Sequence, residues 1–146
     1  MSFETLPENW PALPLDDPAL AADVVDLIVG EEDRAGGCVG LLLLDDTLRL
    51  AQPFLVGEVP EGADPARFAT FVEQLAPMLT ENAGALVFAR GRPGSLLLTD
   101  GDRSWHESVV DACRRAHVRL VGAYLATPSG VRTYPEPLAA GETLAS

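Results

Sequence analysis

The polar residues between positions 90 and 102 have the types and spacing that could carry chemistry. The string ARGRPGSLLLTDGD places Arg90 and Arg92 shortly before Thr99, Asp100 and Asp102. An apolar run, ALVFA, precedes this string, and a segment with apolar residues at helical spacing follows it. These residues therefore lie between a predicted strand and a predicted helix, where α/β folds usually place binding and catalytic groups.

The sequence leaves three roles open for the two arginines. Arg90 and Arg92 can form salt bridges with Asp100 or Asp102, which would organise the loop through ion pairs. They can instead bind an anionic small ligand, such as a phosphate or a carboxylate terminus, beside the N-terminus of the following helix. In the third case both side chains are simply solvated.

A metal centre is not expected in this loop. Guanidinium groups are permanently charged and have no lone pair to donate, so Arg90 and Arg92 would repel a cation. Asp102 and His106 are four residues apart and could face one side of a helix, which makes them the remaining candidate metal ligands. Two ligands from one helical turn are too few for a zinc site, and we expect no metal and no cofactor.

The surrounding elements alternate between helices and strands and predict an α/β fold. The apolar runs Val39–Leu44 and Leu86–Ala89 are typical of strands covered on both faces, so we expect them side by side at the centre of the sheet. Pro53, in the returning strand, favours an edge position or a bulge. The order α-β-β-α-β-α-β-β predicts a mixed β-sheet flanked by helices, with helices over 18–30 and 66–83 and from 100 or 102, and a loop over 31–37.

The chain is predicted to contain one domain. Residues 1–18 are rich in proline and are expected to form an extended N-terminal arm, which Trp10 pins to the body of the protein. Residues 19–134 form the domain itself. The last residues, 135–146, contain few large apolar side chains and are expected to form a flexible tail.

The order of these motifs resembles the JAB/MPN metalloprotease fold, closest to its RadC-like branch and related to the cytidine-deaminase-like layout. The signature of that family is histidine-any-histidine-proline, a spacer, and serine-any-any-aspartate. Here Arg90, Arg92 and Pro93 stand at its first positions, and Thr99 and Asp102 at its last, with a spacer one residue shorter.

The first predicted strand, VGLLLL, looks like the opening strand of the same family. If Gly40 is the glycine of that strand, then Gly37 stands where the family has its general-base glutamate. Two metal ligands and the base are therefore replaced. Members that lack these groups typically serve as assembly or partner-binding subunits, so the resemblance implies a non-catalytic module.

Two hypotheses about function follow. The first is a pseudoenzyme that binds a protein partner, most simply as a homodimer through the hairpin or the helix over 66–83. The alternative is a domain that binds or transforms an anionic small molecule with the loop that contains Arg90, Arg92 and Asp102.

Composition restricts the partners further. The chain has 146 residues and a net charge of −12, which opposes nucleic-acid binding. It contains no apolar run of the roughly 18 residues that a membrane span needs, and its first residues do not resemble a secretory signal. Cys38 and Cys113 lie within apolar patterns and are expected to be reduced, and we expect a cytoplasmic protein.

Overall fold

The computed structural model describes Glu4 and residues 6–135. The helices are α1 (Pro18–Ile28), α2 (Glu31–Gly36), α3 (Ala66–Glu81) and α4 (Asp100–Ala116). The strands are β1 (Cys38–Leu44), β2 (Leu50–Val56), β3 (Ala85–Gly91), β4 (Arg119–Thr127) and β5 (Gly130–Thr133). Within these residues they form one mixed sheet in the order β2-β1-β3-β4-β5, in which β3 and β4 are parallel and the other neighbours antiparallel.

The centre of the sheet is formed by β1 and β3, as the two continuous apolar runs predict. Every residue of both strands is buried. They pair antiparallel, with Leu41 opposite Phe88 and Leu43 opposite Leu86. Because neither face of these strands meets water, their sequences carry no polar alternation.

The two faces of the sheet are covered by different helices. Val39, Leu41 and Leu43 pack with α3 and α4, whereas Leu42 and Leu44 pack with α1. The sequence predicts a sheet flanked by helices, and the structure shows that α3 and α4 both cover one face while α1 covers the other. The distribution follows from the pleat, which sends successive side chains of a strand to opposite faces.

Residues 31–37, which were expected to form a loop, contain the short helix α2. Its first turn carries Glu31, Glu32 and Asp33, whose negative charges suit a helix N-terminus. The Arg34 side chain is buried and donates hydrogen bonds to the carbonyl oxygens of Val29 and Thr127. A helix of 6 residues is too short to show an apolar periodicity, so the sequence pattern missed it.

Of the predicted N-terminal arm over residues 1–18, the part over residues 6–17 packs on the sheet. It contains a 3-10 turn at Trp10–Ala12, and Pro18 is already the first residue of α1. Trp10 contacts the core beneath α1, which confirms that it holds the segment down. Leu15 is buried, and its amide donates to the Leu48 carbonyl oxygen at 2.8 Å. The predicted flexible tail lies outside the described residues, except for Pro135.

Strand β2 is an edge strand, as Pro53 predicts, because it pairs with β1 alone. Both cysteines are free and buried, Cys38 on the α1 side of the sheet and Cys113 on the other side. None of the helices described in residues 6–135 is long and apolar enough to cross a membrane.

Candidate functional site

The candidate site lies where β3 ends and α4 begins. Helix α4 starts with a capping box, because the Thr99 hydroxyl accepts the Asp102 amide at 3.1 Å and the Asp102 carboxylate accepts the Thr99 amide at 2.9 Å. This cap holds the Asp102 side chain at the end of the helix that faces β3. Arg90 and Arg92 are two residues apart in an extended chain, so both side chains leave on the side of α4.

Arg92 and Asp102 form a buried, two-point ion pair. Arg92 Nε donates to Asp102 Oδ1 at 2.8 Å, and Nη2 donates to Oδ2 at 2.6 Å. The same guanidinium also donates to the carbonyl oxygens of Pro93 at 2.9 Å and Leu97 at 3.0 Å. Asp102 is fully buried and Arg92 nearly so. Of the three roles that the sequence leaves open, the salt bridge holds for Arg92, and its partner is Asp102.

Arg90 approaches the same carboxylate in a different way. Its Nη1 lies 3.1 Å from Asp102 Oδ1, and its Nη2 lies 3.2 Å from Oε2 of Glu61. Nη1 nevertheless lacks a hydrogen-bond partner among the described residues, because its N–H bonds do not point at Asp102 Oδ1. The contact between Arg90 and Asp102 is therefore an ion pair without a hydrogen bond. The guanidinium carbon also lies 5.9 Å from the centre of the Trp105 ring. We call Arg90, Arg92, Asp102 and Glu61 the arginine cluster.

The pKa of Asp102 reflects two opposing effects. Burial acts to raise it, but the hydrogen bonds from Arg92 and Thr99 and the positive charges of both arginines act in the other direction and prevail. The pKa of Asp102 is therefore lower than usual, and the carboxylate is ionised at neutral pH. The pKa of Arg92 is raised, chiefly by its hydrogen bonds to Asp102.

Two residues that the sequence grouped with this loop lie outside the cluster. Asp100 is exposed at the start of α4 and forms an ion pair with Arg103 at 3.3 Å. His106 is buried one turn after Asp102, where its ring stacks on Tyr134 with the ring centres 4.6 Å apart. Burial lowers the pKa of His106, although the charge of Glu107 acts to raise it. The ring is therefore neutral at pH 7.

The described residues contain no group of three or more His, Cys, Asp and Glu side chains that could hold a metal ion. Both oxygens of Asp102 already accept hydrogen bonds from Arg92 and Thr99. A pairing of Asp102 with His106 as metal ligands would have to break these bonds. The candidate metal pair therefore has neither a third ligand nor a free carboxylate.

A cavity of about 210 Å³ opens beside the cluster. It is lined by residues 35–38, 59–61 and 90–93, and we call it the arginine cavity. Gly37 lies in its wall with φ +81°, and a Cβ there would collide with the Val59 carbonyl oxygen. No side chain fits at Gly37 without backbone strain, so a general base cannot be supplied from that position.

No pattern in the sequence pointed to Glu61 as a member of the arginine cluster. It lies in the exposed linker between β2 and α3, among prolines, glycines and other acidic residues, and only the folded chain brings it to Arg90. Neither the family models nor the curated proteins with which the chain was compared give a match.

Proposed function

We propose that this protein is a non-catalytic JAB/MPN-like module that assembles through the exposed edge of its sheet, with a second copy of the same chain as the partner. The resemblance to the family rests on residues from separate segments. Gly37, Arg90 and Arg92 line one cavity, and Asp102 pairs with both arginines. These are the positions that the family motif uses, so their convergence supports the resemblance.

The chemistry of these positions favours a module without peptidase activity. A catalytic zinc site needs neutral donors around the ion and an open position for water. Here two guanidinium groups stand at ligand positions, the carboxylate is bonded to Arg92, and glycine stands at the base position. Activation of water by a metal has no support in this arrangement.

The observation that carries the proposal is the exposure of β2. Every residue of this strand after Leu50 is exposed. Phe54, Leu55 and Val56 are 37%, 36% and 49% accessible, with Phe54 and Val56 on the face that α3 covers and Leu55 on the opposite face. An open edge strand that exposes neighbouring apolar side chains is typical of an interaction site, whereas single exposed apolar residues are ordinary.

Charge favours a second copy as the partner. The whole chain carries a net charge of −12, so two copies repel each other over most of their surfaces. Residues 50–57 have the sequence LAQPFLVG and contain no charged side chain. Two copies can therefore meet at this strip without placing like charges directly opposite one another.

The backbone of β2 allows a short two-fold pairing. The Arg92 amide bonds to β4, so the backbone groups of successive residues in β3 face β4 and β1 alternately. The same alternation continues through β1 into β2. The backbone groups of Pro53 and Leu55 therefore face away from β1, toward the open edge of the sheet. Pro53 therefore loses no hydrogen bond to β1. Leu55 still offers both its amide and its carbonyl to a neighbouring strand, so an antiparallel contact centred on Leu55 needs no donor from Pro53.

The test is the molar mass in solution, measured by light scattering and by sedimentation over a range of concentrations. We expect a dimer for the natural sequence and a monomer for Leu55→Lys, because two ammonium groups would face each other across the two-fold axis. Leu97→Lys is the matched control, since Leu97 is 76% exposed in the loop before α4 and should leave the dimer intact.

A further variant, Met78→Lys, separates this interface from one through α3, where Met78 is exposed. The proposal predicts that Met78→Lys remains dimeric. A natural chain that is monomeric at every concentration, or a dimer that Leu55→Lys leaves intact, contradicts it.

A further inference from the structure

Arg90 differs from the other buried arginines in its hydrogen bonding. Arg34 and Arg92 each donate to carbonyl and carboxylate oxygens around them. Arg90 is 3% exposed, yet among the described residues its contacts are two ion pairs and the face of Trp105. A buried guanidinium has five N–H donors that require acceptors, and an unsatisfied donor is costly. Among the described residues, Nη1 of Arg90 has no hydrogen-bond partner although the Asp102 carboxylate lies 3.1 Å away, so it is a buried donor that an acceptor on a ligand would satisfy.

The Glu61 carboxylate marks where that acceptor lies. It sits 3.2 Å from Arg90 Nη2, and a Cβ on Gly101 would lie 3.1 Å from Glu61 Oε1. The anionic group is therefore held between a guanidinium and the first turn of α4, where the helix dipole also favours negative charge. Gly101 leaves the space that the carboxylate fills.

Glu61 itself is a weakly held occupant. Its side chain is 65% exposed, and an ion pair with such a partner contributes little because water screens it. The Glu61 side chain can swing into solvent without breaking a hydrogen bond to Arg90, since the contact is an ion pair only.

Charge selects the kind of ligand. Arg90 and Arg92 bring two positive charges and Asp102 one negative charge, so one positive charge remains when Glu61 leaves. A singly charged anion balances it, whereas a phosphate dianion would leave an excess negative charge beside the buried carboxylate of Asp102. Burial raises the pKa of the Cys38 thiol to about 11, so this neighbour in the cavity is uncharged and does not repel an anion.

The cavity limits the size of the ligand. At about 210 Å³ it is smaller than the pockets of roughly 300–1,000 Å³ that hold drug-sized molecules. Val59, Pro60 and Pro93 provide apolar surface in its wall. This shape suits a short aliphatic chain attached to the charged group.

We propose that the arginine cavity binds the carboxylate of a small apolar acid or of a peptide C-terminus, with Arg90 as the principal donor and Glu61 as the side chain that the ligand displaces. The site does not depend on the dimer contact at β2, because the residues of Leu50–Val56 do not line the cavity. It also requires no metal and no reaction.

The test uses sodium acetate and sodium butyrate as probes against sodium chloride at equal ionic strength. Melting temperatures give the apparent affinity, because a ligand bound only by the folded chain stabilises it. Glu61→Gln should bind butyrate about three- to tenfold more tightly than the natural chain, because the Glu61 carboxylate no longer competes with butyrate for Arg90. This factor corresponds to the free energy of one partly exposed ion pair. Glu58→Gln, an equal change of charge in the same exposed linker, should bind as the natural chain does.

Two variants in the Glu61→Gln background show whether Arg90 is the donor. Arg90→Gln should abolish saturable binding. Because this change can also impair folding, Gly101→Ala provides a second test, since its Cβ would enter the space of the carboxylate while alanine suits a helix. We expect Gly101→Ala to fold normally and to weaken butyrate binding at least tenfold.

A peptide with two apolar C-terminal residues, compared with its C-terminal amide, distinguishes the two sources of the carboxylate. Tighter binding of the free peptide than of butyrate indicates a protein C-terminus, and tighter binding of butyrate indicates a small acid. The proposal is overturned if Glu61→Gln binds neither probe saturably, or if Gly101→Ala binds butyrate as tightly as its parent.

Discussion

Arg90 and Arg92 stand two residues apart and yet have opposite relations to the fold. Both side chains point to the side of α4, both are almost completely buried, and both lie beside Asp102. Arg92 satisfies its donors on Asp102 and on the loop carbonyls that follow it, whereas Arg90 meets Asp102 and Glu61 without a hydrogen bond. Burial and charge are thus the same for the two residues, but their hydrogen bonds differ. Arg92, whose donors are satisfied, has a structural role, and Arg90 is the candidate binding residue.

The difference has a local cause. The chain turns back after Pro93, so the carbonyl oxygens of Pro93 and Leu97 come within reach of the Arg92 guanidinium. Arg90 points instead toward the N-terminus of α4, where backbone groups are donors and cannot satisfy another donor. The acceptor left for Arg90 is Glu61, which comes from the exposed linker.

Removal of the shared carboxylate should have the largest effect. Asp102→Asn leaves two buried guanidinium groups without their counter-ion, and we expect a loss of ~3–5 kcal/mol in the free energy of unfolding. Asp100→Asn, on the exposed side of the same helical turn, should change it by less than about 0.5 kcal/mol. Urea titrations of the two variants measure both values. Equal urea midpoints for the two variants would mean that the charge of Asp102 does not stabilise the buried arginines.

Arg92→Ala should cost roughly 1–3 kcal/mol, because the carboxylate of Asp102 loses its two-point partner in a buried position. Arg49→Ala, at an exposed position, should cost less than about 0.5 kcal/mol. The loss of unfolding free energy for Arg90→Ala should lie between these two values, because this change removes ion pairs but no hydrogen bond to Asp102. The same urea titrations apply, and an Arg90→Ala that destabilises more than Arg92→Ala would reverse the comparison.

The contribution of the Arg92–Asp102 pair should depend on pH. The pKa of Asp102 is lower in the folded chain than in the unfolded chain, so the pair contributes fully above the unfolded value of about 3.9. The contribution is lost as the pH falls through the folded pKa. We therefore expect the difference in unfolding free energy between the natural chain and Asp102→Asn to be constant from about pH 7 to 5 and to shrink below about pH 4. A difference that persists unchanged at pH 2 would contradict it.

His106, one helical turn from Asp102, should give a smaller effect in a different pH range. Burial lowers its pKa, so the unfolded chain takes up a proton first as the pH falls through about 6.5. The natural chain should lose stability between about pH 7 and 5 relative to His106→Phe, which keeps the contact with Tyr134. His117→Asn is the control, because His117 is exposed and caps α4 in a left-handed conformation that asparagine tolerates. Melting temperatures of the natural chain and both variants across this pH range measure the effect.

Zinc should have the smallest effect of all. Both arginines would have to leave the cluster before a cation could approach Asp102, so added zinc should leave the melting temperature within about 1 °C. Elemental analysis provides the independent measurement. Stoichiometric zinc bound through Asp102 and His106 would overturn the comparison between the arginines as well as the proposal of a non-catalytic module.

Local sequence patterns predicted much of the fold. The two continuous apolar runs gave the central strands, and Pro53 gave the edge strand. The helix predicted over 18–30 is α1, which starts at Pro18, and the Asp17 side chain accepts the Ala19 amide at 3.0 Å. Patterns of this kind act through the chain's own neighbours and need no knowledge of tertiary contacts.

The misses arose where distant segments decide the conformation. Helix α2 is held by the Arg34 side chain, which reaches the carbonyl oxygen of Thr127 far along the sequence. The N-terminal segment is folded because Trp10 and Leu15 find apolar partners on the sheet. Neither contact leaves a periodic signal in the residues that make it.

The sequence by itself placed Arg92 and two aspartates at a strand end and a helix start, because strand alternation, Pro93 and the Thr-x-x-Asp capping pattern all act within a few residues. It indicated that Arg92 could pair with Asp100 or Asp102, but it determined neither that pairing nor that Asp100 would point to solvent. Those outcomes depend on the direction in which α4 lies across β3. Tertiary structure alone brought Glu61 to Arg90, because that contact joins an exposed linker to a buried strand and its energy exists only when the chain has folded.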